Sequence, residues 1–269
     1  MIKIPIGVEN FKEIRTDNCY YVDKTKFILE LFEQQFSVNL ITRPRRFGKT
    51  LMLNMLKHFF DIRKDSKELF EGLVISQNKE ICAEWMNQWP VLFISFKDIA
   101  ARTYQSSYVQ LVFELYNLCV EHAYLEMSEK IDKADKEFFL KMKQRSLSEE
   151  EVKNGLLFFM RMLHAHYGKQ VILLIDEYDV PLAKADEYGY YQEMLDLIRG
   201  FMSVSLKTNE HLKFAIVTGC LRIAKESIFT GANHFVNHSI DDGKYMDAFG
   251  FTEEEVTKLL QTIEKSNFR

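Results

Sequence analysis

The sequence predicts an α/β protein: a mostly parallel five-stranded sheet with helices on both faces. Three observations predict it. Short apolar runs recur at 36–42, 91–96, 171–175 and 213–218, with a weaker one at 235–239. These runs are apolar on both faces, as strands of a parallel sheet covered on both sides must be. Segments of helical periodicity separate them, which is the alternation that crossover connections require.

Taken in order, residues 1–20 read as irregular, with polar turns at Gly7 and Asp17-Asn18. KTKFILELFEQQ at 24–35 places Phe27, Ile28, Leu31 and Phe32 on one helical face. FSVNLIT at 36–42 is a buried strand. The pattern breaks at Arg43, and a helix follows from Lys49, apolar at Leu51, Leu53, Met55, Leu56, Phe59 and Phe60. Residues 61–88 are charged and mixed. VLFISF at 91–96 is the second strand.

Helical periodicity returns from Tyr108 to Tyr124 and from Phe138 to Met142. Ser148-Glu149-Glu150-Glu151 is a capping box that opens a helix running to about His166. His164 and His166 are two residues apart, so they do not share a helical face, and they read as structural. VILLI at 171–175 is the most apolar run in the chain. A helix over 190–207 precedes the fourth strand, KFAIVT at 213–218, and the tail from Thr252 is a capped amphipathic helix.

The chain has 269 residues, enough for one large domain or two small ones, and 47% are hydrophobic, enough for a core without staples. A net charge of −4 gives no general drive toward nucleic acid or anionic membrane, so direct nucleic-acid binding by this segment is not expected. Cys19, Cys82, Cys119 and Cys220 are far apart and read as reduced thiols, which fits a reducing compartment. No signal-peptide run opens the chain, and no stretch reaches the roughly 20 apolar residues of a membrane span. The expected localisation is cytoplasmic.

Arg43-Pro44-Arg45-Arg46-Phe47-Gly48-Lys49-Thr50 lies between a strand and a helix and matches the last three residues of the Walker A pattern. Arg43 stands where the pattern has its first glycine. Gly48 lets the backbone approach phosphates with no Cβ in the way, and loop and helix N–H groups bind anionic oxygens. Lys49 supplies a point charge to the outer phosphates, and Thr50 a hydroxyl to magnesium. The candidate nucleotide contacts are Arg43, Pro44, Arg45, Arg46, Phe47, Gly48, Lys49, Thr50 and Leu51. Arg45 and Arg46 contact phosphates or pair with Asp176, Glu177 or Asp179; the sequence leaves both open.

VILLI runs directly into Asp176-Glu177, a Walker B arrangement: the apolar residues bury the strand, and the carboxylate at its C-terminal end faces the crevice where ligands bind in open α/β sheets. Asp176 would hold the metal through water, with Thr50 as the other metal residue. Glu177 sits where a general base polarises the attacking water. Thr218, at the end of the fourth strand, is either a γ-phosphate sensor or a plain strand-end threonine. Arg222 reaches a phosphate, in this chain or a neighbouring subunit, or else makes a surface salt bridge.

Together YYVDKTKFI at 20–28, LITRPRRFGKT at 40–50, VLFISFKDI at 91–99, LLIDEYDVPL at 173–182, TGCLRIAKESIFTG at 218–231 and FGFTEEEV at 249–256 resemble the bacterial AAA-ATPase-like family, in the expected order and over nearly the whole chain. The resemblance implies a P-loop NTPase fold of the additional-strand class, with strand order 5-1-4-3-2. It implies ATP and Mg2+ as cofactors, and Lys49, Glu177, Thr218 and Arg222 as the catalytic set. It divides the chain into an N-terminal extension at 1–35, an ATPase core at 36–248 with a helical insertion at about 100–168, and the start of a helical lid at 249–269. Tyr21 and Asp23 fall near the base or ribose, or simply pack on the core. Such proteins commonly continue into a restriction-endonuclease-like domain, and no nuclease motif is visible here. The expected function is Mg-dependent ATP binding and hydrolysis, as a switch or motor for a partner domain or within a homo-oligomer. The rival is a nucleotide-binding regulatory module with little turnover.

Overall fold

The run at 171–175 becomes an inner strand buried at every position, because its residues are apolar on both faces and neither face can be given to water. In the computed structural model of the protein, residues 3–33, 37–220, 235–240, 243 and 245–267 are described. The strands are β1 (Val38–Thr42), β2 (Val91–Ser95), β3 (Val171–Asp176), β4 (Leu212–Gly219) and β5 (Phe235–His238). The helices are α1 (Phe11–Thr16), α2 (Lys26–Phe32), α3 (Lys49–Phe60), α4 (Lys67–Phe70), α5 (Lys79–Trp85), α6 (Tyr104–Glu121), α7 (Lys133–Gln144), α8 (Glu149–Lys153), α9 (Gly155–Tyr167), α10 (Val180–Tyr188), α11 (Tyr191–Leu206) and α12 (Glu253–Asn267). Two compact units divide the chain: one of 36–42 and 89–237, the other of 1–35, 43–88 and 238–269.

The first unit is built on the sheet, whose order β2-β3-β4-β1-β5 is the expected 5-1-4-3-2 read from the other edge. Its strands are all parallel rather than mostly so. The register sets Ser95 beside Asp176, Ile175 beside Val217 and Thr42 beside Gly219, so the C-terminal ends of β1, β3 and β4 share one edge. Leu92, Ile94, Leu173, Ile175, Ala215 and Val217 from the strands join Phe159, Leu163, Ile198 and Phe201 from α9 and α11 in one buried cluster. Burying each large apolar side chain contributes roughly 1.5–3 kcal/mol.

Four helices, α6 to α9, run between β2 and β3. The capping box forms: Ser148 Oγ accepts from Glu151 N–H, and the Glu151 carboxylate accepts from Ser148 N–H. The single helix expected from there to His166 is divided at Asn154. Gly155, next to the break, lets α9 approach α6, since a Cβ there would lie 2.8 Å from Leu115 Cδ1. Periodicity alone indicates no helix at 180–188, yet α10 forms with Pro181 in its first turn and ends at Gly189, φ +80°.

The second unit packs α3 against the N-terminal segment. Phe11 N–H donates to Asn54 Oδ1 at 2.8 Å, and the rings of Phe11, Phe59 and Phe70 meet at centroid distances of 5.0 and 5.3 Å. Helix α1, within the stretch expected to be irregular, starts where Asn10 accepts from Glu13 N–H. Six residues are too few for periodicity to reveal it. Asp23 accepts from Thr25 N–H, Thr25 Oγ1 and Val74 N–H, which makes it a structural hub. The charged stretch after α3 is ordered by Asn87, whose amide donates to the His58 and Asp61 carbonyls. Helix α12 opens with Thr252 and Glu255 bonded reciprocally, and Lys24 Nζ donates to both Glu255 oxygens at 2.7 Å and to the Asp247 carbonyl at 2.6 Å.

Candidate nucleotide-binding site

The chain leaves β1 at Thr42 and enters the loop at Arg43. The loop turns through two left-handed residues, Arg46 (φ +68°) and Gly48 (φ +77°), and Gly48 is the N-cap of α3. A Cβ on Gly48 would meet nothing within 4 Å, so the backbone angle is what requires glycine there. No side chain caps the start of α3, and that end carries the partial positive charge of the helix dipole.

Lys49 is almost fully buried, with Nζ donating to the carbonyls of Arg43 at 3.0 Å and Pro44 at 2.9 Å. These two bonds draw the ammonium across the loop that precedes it. Arg43 is buried too: it donates to the His238 carbonyl at 2.7 Å and the Tyr245 carbonyl at 3.4 Å, with its guanidinium 5.5 Å from the centre of the Phe249 ring. The side chain that replaces the first glycine is thus engaged with main chain of the C-terminal segment. Pro44, Arg45 and Arg46 are exposed, and Thr50 and Leu51 are half-buried in the first turn of α3. The Phe47 carbonyl accepts from Gly250 N–H at 3.1 Å.

A cavity of about 330 Å³ opens beside the loop, within the same unit. Its walls come from 4–22 with Lys24, from Arg46-Phe47-Gly48, from Leu51 and Met52, and from 248–259. Tyr21 lines it, with its ring edge-on to Phe11 at 5.4 Å; burial raises its phenol pKa.

In the sheet unit, β3 ends at Asp176, which is fully buried. Thr218, also fully buried, donates its hydroxyl to Asp176 Oδ1 at 2.5 Å. Glu177 follows in the left-handed region at φ +52°. Asp179 Oδ2 accepts from Cys220 N–H at 3.0 Å, which ties the start of α10 to the chain leaving β4. Gly219 lies so close to this turn that a Cβ would stand 2.4 Å from the Tyr178 ring and 2.7 Å from Asp179 Oδ1. Burial raises the Tyr178 phenol pKa.

The structure therefore brings Asp176 and Thr218 into one hydrogen bond and Lys49 onto the loop's own main chain. Arg222 lies outside the described residues, as does most of the block at 218–231. Sequence reading placed Asp179 only as an alternative partner of Arg45 or Arg46 and gave Gly219 no role; the acid two residues past Glu177 and the Thr-Gly pair ending β4 are the local signals for what they do. It also missed the cavity, whose walls are brought together from opposite ends of the chain. Among the described residues, no group of three or more His, Cys, Asp or Glu could hold a metal ion. No described helix is long and apolar enough to cross a membrane.

A parallel α/β sheet, a strand–loop–helix ending in Gly48-Lys49-Thr50, and an acidic strand end mark the class of P-loop NTPases. The chain belongs to the AAA-ATPase-like family, described as a predicted AAA-ATPase, which matches residues 5–229. It is also 32% identical over 256 residues to a protein of Azotobacter chroococcum mcd 1 described as "Uncharacterized protein in vnfD 5'region". That match covers 94% of this chain and 44% of the relative, so the chain spans less than half of the relative's length. No solved structure matches it.

Proposed function

We propose that the protein binds ATP with Mg2+ and hydrolyses it, and that the resulting change drives a partner domain. One observation carries this reading most directly. In the parallel sheet, the strand that runs into the loop and the strand that ends in Asp176-Glu177 point the same way, with only β4 between them. Ligands of open α/β sheets bind beyond the carboxyl ends of the strands.

In this reading the N–H groups of the loop and of the start of α3 receive the phosphates. Lys49 exchanges its two carbonyl partners for phosphate oxygens. The donor set fits magnesium: Thr50 and Asp176 offer only oxygen, and a magnesium ion bound with few protein ligands keeps waters and phosphate oxygens as the rest of its shell. When bound, the ion would neutralise charge on the phosphates. Thr218 holds the Asp176 carboxylate in place, and a γ-phosphate-sensing role would act through the same hydroxyl. Glu177 takes a proton from the water that attacks the γ-phosphorus, and ADP and inorganic phosphate leave. Arg45 and Arg46 contact phosphates from the exposed side of the loop, and Arg222 stabilises transition-state charge. Segment 249–269 serves as the lid.

The second reading, a nucleotide-responsive module with little turnover, is favoured by Arg43. Its guanidinium is engaged with the His238 and Tyr245 carbonyls, so the first loop position serves the C-terminal segment. Mg-dependent phosphate release from ATP, with nucleotide binding followed in parallel, separates the two. Turnover by the wild type, with binding but no turnover by Glu177→Gln, supports the hydrolase. Binding by both and turnover by neither supports the module. Absence of nucleotide binding by the wild type overturns both.

A further inference from the structure

We infer that helix α6 is a self-association surface, on which α6 of a second copy of this chain packs antiparallel. This surface is independent of the nucleotide site.

In α6, Val109, Phe113, Tyr116 and Val120 follow one another at spacings of four, three and four residues. At about 100° per residue they fall within an arc of about 60°, one narrow stripe along the helix. That spacing is the one that forms a seam between two packed helices. The stripe faces outward: Val109, Phe113 and Val120 are 54%, 45% and 56% exposed. On the opposite face, Leu111, Leu115 and Leu118 are buried in the core of the sheet unit. A helix that only covers a core needs one apolar face, and α6 has two.

The order of the residues in the stripe selects a second copy as the occupant. Reversing the helix about its midpoint exchanges Val109 with Val120 and Phe113 with Tyr116. Around a two-fold axis valine then meets valine, and an aromatic ring meets an aromatic ring. This is the self-complementarity that a closed dimer requires. The same reversal turns one flank of the helix toward itself and sets Gln110 near the second copy's Asn117, two neutral amides. Glu114 and Glu121 are the only charged residues of α6, and both lie more than about 90° from the midline of the stripe. The seam itself therefore sets no like charges together. Antiparallel helix dipoles also attract.

The aromatic centre of the stripe is ordered before any contact. The Phe113 and Tyr116 rings stack with centroids 5.7 Å apart, and the Arg145 guanidinium stands 5.6 Å from the centre of the Tyr116 ring. Side chains held in this way lose less freedom on association. Tyr, Phe and Arg are also enriched at protein interfaces. A helix of 18 residues is about 27 Å long and about 12 Å wide, so its face offers about 300 Å². A standard interface takes roughly 800 Å² from each partner, so this dimer is weak and depends on concentration.

The test is sedimentation equilibrium of the full chain, reduced and without nucleotide, from about 1 to about 100 μM. The wild-type mass should rise from monomer toward dimer across that range. Phe113→Glu should stay monomeric while its thermal unfolding matches the wild type. Val109→Lys and Val120→Glu should each weaken association on the order of 10-fold or more, since each buries a lone charge. An equimolar mixture of these two variants should restore it, because the reversed seam sets the new ammonium against the new carboxylate. A wild type that stays monomeric throughout overturns the inference and leaves the stripe to a different protein. Association that persists in Phe113→Glu overturns it as well. Loss in both single variants without recovery on mixing overturns the antiparallel pairing.

Discussion

In the phosphate loop, main-chain carbonyls hold the side chains. Lys49 rests on the Arg43 and Pro44 carbonyls, Arg43 on those of His238 and Tyr245, and the Phe47 carbonyl takes the Gly250 N–H. At the end of β3, side chains do the holding: Thr218 bonds Asp176, and the Asp179 carboxylate takes the Cys220 N–H. The loop is basic and partly exposed; the strand end is acidic and buried. A geometry held by main chain tolerates changes of neighbouring side chains and fails when the backbone turns differently. A geometry held by side chains fails at single substitutions. The loop's form is therefore robust to its odd first residue, while the strand end is where point mutations should act most sharply.

The largest expected effect tests the acidic side. Glu177→Gln keeps shape and removes the proposed base, so on the hydrolase reading phosphate release should fall about 10²–10⁴-fold while ATP binding persists. Equal turnover by the variant would assign the base elsewhere.

Acid tests the other side. His58, on the helix that follows the loop, has its pKa lowered from 6.5 to about 4 by burial first and by Lys64, Lys57 and Lys12 after it. The unfolded chain then binds a proton that the folded one refuses. Stability should hold above pH 6.5 and drop as pH falls from 6.5 to about 4, by at most ~3 kcal/mol, then level off. Burial also lowers His166 and His211 in the sheet unit, so the decline has several contributors. Denaturant unfolding of wild type and His58→Gln across that range should show a shallower slope for the variant.

Thr218→Val removes the donor to a buried carboxylate and should cost about 1–3 kcal/mol of unfolding free energy, with Thr218→Ser recovering most of it. A neutral Thr218→Val would mean that Asp176 is held by other groups. The smallest effect belongs to the loop surface. Arg45→Ala should change stability by no more than ~0.5 kcal/mol, as judged by chemical denaturation. A larger loss would place a structural role on an exposed side chain and weaken the contrast.

Much of the frame was legible because it is local. VILLI before Asp176-Glu177 and LITRPRRFGKT at 40–50 each carry strand, turn and chemistry in contiguous residues. The parallel pairing followed from strands apolar on both faces. Helices α1, α4 and α5 were not legible: each is four to seven residues long and lacks the run of apolar residues on one face that made the equally short α2 readable. The close approach beside the split at Asn154 depends on Leu115, far earlier in the chain, and the engagement of Arg43 depends on residues 195 and 202 positions later. Asp176 was readable as an acidic strand end, but its bond to Thr218 needed the register of β3 on β4.

The left-handed backbone at Glu177 has a consequence for selection. A residue with a Cβ at φ +52° carries a conformational penalty of roughly 1–2 kcal/mol, which glycine would avoid. A screen for thermal stability alone should therefore drift toward Glu177→Gly or Glu177→Asn, and one that demands turnover should restore the glutamate. On the hydrolase reading, position 177 is where selection for durability and selection for turnover diverge.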